Sequence, residues 1–378
     1  MTMTEDTRTD VLHAAPPTVE TAQEVADRIA SSPPLLVAEH LDVTYVTEAG
    51  EVPACRDVTV TVHRGEILGI AGESASGKST LLNALARLQR PPAITSGGRI
   101  TYFPVDDSAP LVLSEMSEEE LRAHRWTKLS FVMQSAMASL NPVIKLETQF
   151  TDVIHEHDRK ISRAAARAKA GELLEMVGIP RHRLNAFPFQ LSGGMQQRAL
   201  IALSLACEPE IVFMDEPTTA VDVIMQRQIL SQILQLQAKL GFAIVFVTHD
   251  LSLLMEISDR IVIMYGGRFV EVSSPERIYH AGLHPYTQGL RRSFPQLSEP
   301  VRRLNGIPGA PPDLLDLPVG CAFAPRCPRA SEICLAVRPE LTEHESGLAA
   351  CHHPHTQTAA AHDLTVAADD ADEKGARV

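Results

Sequence analysis

The run Gly72-Glu73-Ser74-Ala75-Ser76-Gly77-Lys78-Ser79-Thr80 constrains this chain more than any other stretch. It has the form G-x-x-x-x-G-K-S. Residues 65–71 before it read as a buried strand, and residues 81–88 after it carry apolar positions at helical spacing. Strand, glycine loop and helix are the context in which such a loop cradles phosphate. Small residues let successive backbone N–H groups turn inward around an anion. The helix that follows aims its partial positive end at the same point. Lys78 would meet the β- and γ-phosphates as a point charge, and the Ser79 hydroxyl would hold Mg²⁺.

The rest of the pattern alternates strands and helices, so the expected fold class is α/β with a largely parallel sheet. Strands are expected at 35–38, 41–45, 58–62, 211–215 and 243–249, and a hairpin begins at 261–265 with Gly266-Gly267 as its turn. Helices are expected at 116–125, opened by a Ser117-x-x-Glu120 capping box, and at 162–177, stopped by Gly178 and Pro180. Residues 1–34, rich in Thr, Ala, Pro and acids, read as a flexible extension. Residues 35–290 read as the α/β domain, with a helical insert at about 135–205. The composition shifts after about 290, where prolines cluster and four of the six cysteines fall. Residues 291–354 therefore read as a separate small C-terminal module, and 355–378 as a disordered acidic tail.

No apolar run approaches the ~20 residues of a membrane span, and the polar first twenty residues lack the apolar core of a secretory signal. A cytosolic protein is expected. The formal net charge of −13 argues against nucleic acid as a partner and against docking on anionic lipid by charge alone.

A second anion site lies at Ser192-Gly193-Gly194, at the start of a helix about twenty residues before the acidic strand end Asp215-Glu216. Two phosphate sites in one chain point to dimerisation across the nucleotide. Here the sequence resembles the ABC transporter ATPases, whose LSGGQ signature matches Leu191-Ser192-Gly193-Gly194-Met195, with Met195 in place of Gln. The resemblance implies further roles. Tyr45 would stack on adenine. Gln134 would join Mg²⁺ to the membrane partner. Asp215 would bind Mg²⁺ through water, and Glu216 would polarise the attacking water as general base. Asp222, in Thr219-Ala220-Val221-Asp222, would cross the dimer interface, and His249 would contact the γ-phosphate. The implied fold is a P-loop ABC cassette with an antiparallel β subdomain and a helical subdomain.

Several stretches resemble the oligopeptide/dipeptide (peptide/nickel) importer branch: 116–122, 134–142, His284-Pro285-Tyr286-Thr287, and the segment from Pro318 to Pro328 with Cys321 and Cys327. That branch implies an ATPase subunit that energises peptide import from the cytoplasmic face of the inner membrane, with ATP closing a head-to-tail dimer. Its partners would be two integral permease subunits, a second ATPase, and an extracytoplasmic substrate-binding protein reached through the permease. Substrates in the group include dipeptides, oligopeptides, nickel and glutathione. The sequence departs from the family pattern at Ala75, Trp126 and Val221, none of which removes a catalytic group.

Cys321, Cys327, Cys334 and Cys351 form a four-thiol set. Disulfides are disfavoured in the cytosol, and the spacing is not the paired C-x₂-C of zinc fingers. Irregularly spaced thiolates suit a [4Fe–4S] cluster, which some members of the branch carry; zinc and metal-free thiols remain alternatives. Two other readings compete for the whole chain. A soluble ABC ATPase acting on DNA or ribosomes is disfavoured by the single cassette and the negative charge. A binding module with a dead ATPase site is disfavoured by intact Lys78, Asp215, Glu216 and His249.

Overall fold

The computed structural model describes residues 22–134, 139–218, 221–293, 306–344 and 347–355. Its strands, in chain order, are β1 (Pro34–Thr47), β2 (Gly50–His63), β3 (Ile67–Ala71), β4 (Ala93–Tyr102), β5 (Leu111–Val112), β6 (Leu129–Val132), β7 (Ile211–Asp215), β8 (Ala243–Val247), β9 (Arg260–Tyr265), β10 (Arg268–Ser273), β11 (Thr342–His344) and β12 (Gly347–Ala349). They make two sheets. The smaller has the order β2-β1-β4-β5, and the larger β11-β12-β10-β9-β3-β8-β7-β6. The smaller sheet is antiparallel throughout. In the larger, β9, β3, β8, β7 and β6 run parallel.

The parallel strands are short, unbroken apolar runs because both their faces are covered. Every residue of β3, β7 and β8 is buried. Their two-residue alternation divides the interior in two. Ile67, Val212, Met214, Ile244 and Phe246 face the larger core, which also holds Phe150, Leu174 and Ala202 from the helices Leu146–His157, Arg163–Met176 and Gly193–Ser204. Leu68, Ile70, Ile211, Phe213 and Val245 face the second core, against the antiparallel sheet and the helix Lys78–Leu85. The strand order matters for function. β3, β8, β7 and β6 are successive parallel neighbours, so the segments leaving them emerge at one edge of the sheet. In open parallel sheets that edge is where ligands bind.

The local signals read from the sequence hold. Ser117 accepts from Glu120 N–H while the Glu120 carboxylate accepts from Ser117 N–H, closing the capping box. Ser162 caps the helix Arg163–Met176, and Gly178 follows it with φ 70°. Gly266 and Gly267 turn β9 into β10, both at positive φ, as a two-residue hairpin requires.

Three expectations change. The separate strands at 35–38 and 41–45 are one strand. A bulge at His40 (φ 50°) shifts the register between Ala38 and Leu41, bending the strand without ending it. Residues 22–34 are not an unstructured extension. Ala22–Ser31 is a helix whose Ile29 is buried and whose Arg28 pairs with Asp259 at 2.6 Å. Residues 1–21 lie outside the described residues, as do 356–378 of the tail. Finally, the C-terminal segment is not a separate module. β12 pairs with β10 through Glu271–Ala349 and Val272–Leu348, so residues 342–349 extend the main sheet. The exposed edge of β10 offered unpaired N–H and C=O groups, and this later segment satisfies them.

Candidate active site

The phosphate loop leaves β3 and enters the helix Lys78–Leu85 through two glycines that no other residue can replace. A Cβ on Gly72 (φ 156°) would lie 2.3 Å from the Met264 carbonyl oxygen. One on Gly77 (φ 104°) would lie 2.2 Å from that of Ala54. The ends of β9 and β2 therefore press the loop into shape from outside. Ala75 adopts φ 63°, a left-handed conformation unfavourable for a residue with a Cβ. Lys78 folds over the loop, its ammonium donating to the carbonyls of Gly72 and Glu73, both at 2.8 Å. Burial pushes the Lys78 pKa down, while Glu216, Asp215 and Glu73 act to keep it charged.

Opposite the loop, Ser79 donates to the Asp215 carboxylate at 3.0 Å. Burial raises the Asp215 pKa, and the Ser79 hydrogen bond opposes that shift. Glu216 follows at φ 43°, a strained conformation for a glutamate, with its N–H donating to Val247 at the end of β8. Its carboxylate is held from two sides. His249 Nδ1 stands 3.0 Å from one oxygen, and Gln134 Nε2 donates to the other at 3.1 Å. The ends of β6, β7 and β8 thus meet in one three-residue contact. Tyr45, on β1, places its hydroxyl 3.1 Å from that of Thr80, beside the first turn of the loop helix.

A second layer, not read from the sequence, supports the loop. Arg326 makes a two-fold ion pair with Glu73 at 2.6 and 2.9 Å, and also donates to the Pro308 carbonyl. The carboxylate pushes the guanidinium pKa up. The Glu73 N–H donates to the Tyr286 hydroxyl at 2.7 Å. Tyr286 is itself placed by His284, whose Nδ1 accepts from Tyr286 N–H, and by Glu271, whose carboxylate accepts from Leu283 N–H and His284 N–H. The motifs around residues 284–287 and 320–328 were visible as strings. Their contact with a loop more than 200 residues earlier had no local signature.

Other sequence candidates stand apart from this group. Ser192 caps the helix Gly193–Ser204, accepting from Met195 N–H. Its hydrogen bonds and those of Gly194 stay in the helical layer, and among the described residues none reaches the phosphate loop. A Cβ on Gly194 would strike Met225 at 2.3 Å, whereas Gly193 has open space. Asp222 caps the helix Val223–Leu240 by accepting from Ile224 and Met225 N–H. Thr219 and Ala220, and 135–138 after Gln134, lie outside the described residues.

The expected metal cluster is not met. Cys321, Cys327, Cys334 and Cys351 do line one cavity, but its volume is ≈ 10 Å³, room for about one water. Among the described residues no group of three His, Cys, Asp or Glu could hold a metal ion. Burial raises the pKa of Cys321, Cys327 and Cys351, the last to about 11.

Comparison with known proteins places this geometry. The family model described as ABC transporter matches residues 55–219, and that described as oligopeptide/dipeptide transporter, C-terminal region, matches 270–334. The oligopeptide transport ATP-binding protein OppD of Bacillus subtilis is 42% identical over 311 residues, 81% of this chain and 85% of that protein. The dipeptide transport ATP-binding protein DppD of Caldanaerobacter subterraneus is 38% identical over 307 residues, 81% of this chain and 92% of that protein. A solved dimeric structure of the ATP-binding cassette MJ0796, in a post-hydrolysis state bound to ADP and Pi, superposes with a TM-score of 0.56. It is 28% identical and covers 64% of this chain and 99% of its own. By these matches the chain belongs to the ATP-hydrolysing subunits of the ABC transporter family, in the oligopeptide/dipeptide branch.

Proposed function

We propose that this protein hydrolyses ATP to energise import of di- or oligopeptides through a membrane permease. One observation carries the catalytic part: Glu216, one residue after the carboxylate bonded to Ser79, is held between His249 and Gln134. A base so placed orients water in line with a γ-phosphate lying on the loop, and hydrolysis needs positioning and charge neutralisation more than covalent chemistry. In this reading Gly72 to Thr80 bind the phosphates and Tyr45 stacks on adenine. Ser79, Gln134 and Asp215 hold Mg²⁺, and His249 contacts the γ-phosphate.

Ser192, Gly193 and Gly194 complete the site of a second, head-to-tail ATPase, and Asp222 lies at that interface. What supports this is the isolation of Ser192 from the loop of its own chain, and the exposure of Val223 and Ile224 beside Asp222 (63% and 72%). For the permease, support comes from a cavity of ≈ 410 Å³ walled by Leu88, Trp126, Phe131, Val153 and Met133, the residue before Gln134 in the chain. A partner seated in that groove would touch the segment that ends in Gln134, which bonds Glu216, and so could sense hydrolysis. The peptide class rests on the names of the relatives. No helix among the described residues is long and apolar enough to cross a membrane. As the transport ATP-binding subunit that its relatives' names describe, the chain would sit peripherally on the cytoplasmic face. An extracytoplasmic binding protein would deliver the peptide. The working division is a cassette at 35–290, with its helical subdomain at about 135–205, followed by the branch-specific region to 354.

The test is purification from native membranes in mild detergent. Two integral permease subunits, with or without a second ATPase, are expected. Recovery only with ribosomes or DNA, or as a solitary pool, overturns the importer reading in favour of a soluble ABC ATPase.

A further inference from the structure

A second cavity, away from the phosphate loop, lies where β2, the β9–β10 hairpin and the C-terminal segment meet. Its volume is ≈ 310 Å³, within the range of small-molecule sites. Three guanidiniums border it: Arg56 from β2, Arg268 from β10 and Arg338 from the C-terminal segment. The carboxylates at its rim are Asp57 and Glu340. Asp57 is bonded to His40 at 2.7 Å and lies 3.7 Å from Arg268, while Glu340 pairs with Arg338 at 3.2 Å. Arg56 has no carboxylate within ion-pair distance among the described residues; its guanidinium makes one long bond, 3.4 Å, to the Gly266 carbonyl. The Nε atoms of Arg56 and Arg268 are buried without a hydrogen-bond partner. Burial and the neighbouring guanidiniums push the pKa of both down. Crowded cations facing one walled space repel each other, and an anion placed among them relieves that repulsion. His40, Thr59 and Tyr265 add polar groups to the lining, and Phe269, Phe323 and Leu341 give it an apolar face.

We propose that this cavity binds a small soluble phosphate monoester, its phosphate held by Arg56, Arg268 and Arg338 and its apolar body laid against Phe269, Phe323 and Leu341. Guanidiniums pair with phosphate oxygens in a two-point geometry that ammonium groups cannot match. A phosphate monoester carries close to two negative charges at neutral pH, which suits three cations and two carboxylates already partly engaged. The cavity also shares a wall with the ATP site. Arg326, which grips Glu73, lies over the rings of Tyr265 and Phe323, both of which line the cavity. A ligand there would act on the residues that brace the phosphate loop.

The test is calorimetric titration of the full chain with 1-naphthyl phosphate, the ATP site being first saturated with Mg²⁺ and a non-hydrolysable ATP analogue. Binding with Kd below ~1 mM is expected, weakened about tenfold or more by Arg56→Gln and by Arg338→Gln. Inorganic phosphate, which lacks the body, and 1-naphthol, which lacks the charge, should each bind at least about tenfold more weakly. Arg338 is 41% exposed, so its variant keeps the test interpretable if Arg56→Gln unfolds; a melting curve of each variant without ligand establishes that. The proposal is overturned by absent binding, by equal affinity in a folded Arg338→Gln variant, by equal affinity for 1-naphthol or inorganic phosphate, or by capture on phosphatidic acid vesicles without binding of the soluble ester.

Discussion

Arg326 and Glu73, 253 residues apart, form a two-point ion pair in which the arginine side chain is only 6% exposed. Glu73 is the second residue of the phosphate loop. The C-terminal region of this chain therefore braces its own phosphate loop, and severing the brace should be felt in both stability and ATP affinity. Arg326→Gln leaves a largely enclosed carboxylate without its partner, a loss of about 2–3 kcal/mol. Adding Glu73→Gln should recover part of it, with a coupling of at least ~1 kcal/mol between the two positions. Thermal denaturation of the four proteins of that cycle checks the stability, and KM for ATP, expected to rise in Arg326→Gln, checks the effect on the loop. Additive losses would deny the brace.

Glu216→Gln should keep ATP binding and ATP-dependent dimerisation while lowering turnover by about 10²-fold or more. The amide can still bond His249 and Gln134 but cannot accept a proton. Parallel measurement of nucleotide binding by fluorescence and of phosphate release separates the two; near-normal phosphate release would remove Glu216 from its assigned role.

Two substitutions in the loop should have opposite signs. Ala75 holds φ 63°. Glycine there removes a left-handed strain of about 1–2 kcal/mol against an entropic cost of about 0.5–1 kcal/mol, so Ala75→Gly should be neutral to mildly stabilising. Gly72→Ala drives a Cβ to 2.3 Å from the Met264 carbonyl and should disrupt the loop, abolishing nucleotide binding. Melting temperature and nucleotide titration of both variants check this pair.

Stability should fall as pH drops below neutrality. His284 is 1% exposed, and burial lowers its pKa from 6.5 to about 3. An unfolded chain takes up a proton at this position below about pH 6.5 and the folded chain does not. Its contribution is complete above pH 6.5 and is lost as pH falls toward 3, by about 1 kcal/mol between pH 6.5 and 5.5. Glu271, raised by burial, works in the opposite sense, favouring the folded state at low pH and losing that contribution as pH rises through its folded pKa. His284→Gln should flatten the slope between pH 6.5 and 5.5; an unchanged slope in denaturant titrations would remove His284 as its source.

Much of this protein was legible in one dimension. The buried strands of the parallel sheet, the Ser117 and Ser162 caps and the Gly266-Gly267 turn are local events, each dictated by a few neighbouring residues through backbone conformation or burial period; the phosphate loop was legible as a string, although the Met264 and Ala54 carbonyls that shape it are distant in sequence. The proposed catalytic set was legible for a related reason: Asp215, Glu216, His249 and Gln134 each end or follow a recognisable strand, and the parallel order of those strands gathers them at one edge. The tertiary structure decided what depends on distant groups. It joined β12 to β10, docked the helix Ala22–Ser31 through Arg28 and Asp259, and left the four cysteines around a space for about one water. It also brought Tyr286 and Arg326 to the phosphate loop, because ion pairs and aromatic contacts act across space at a few ångströms and leave no period, spacing or cap in the sequence to announce them.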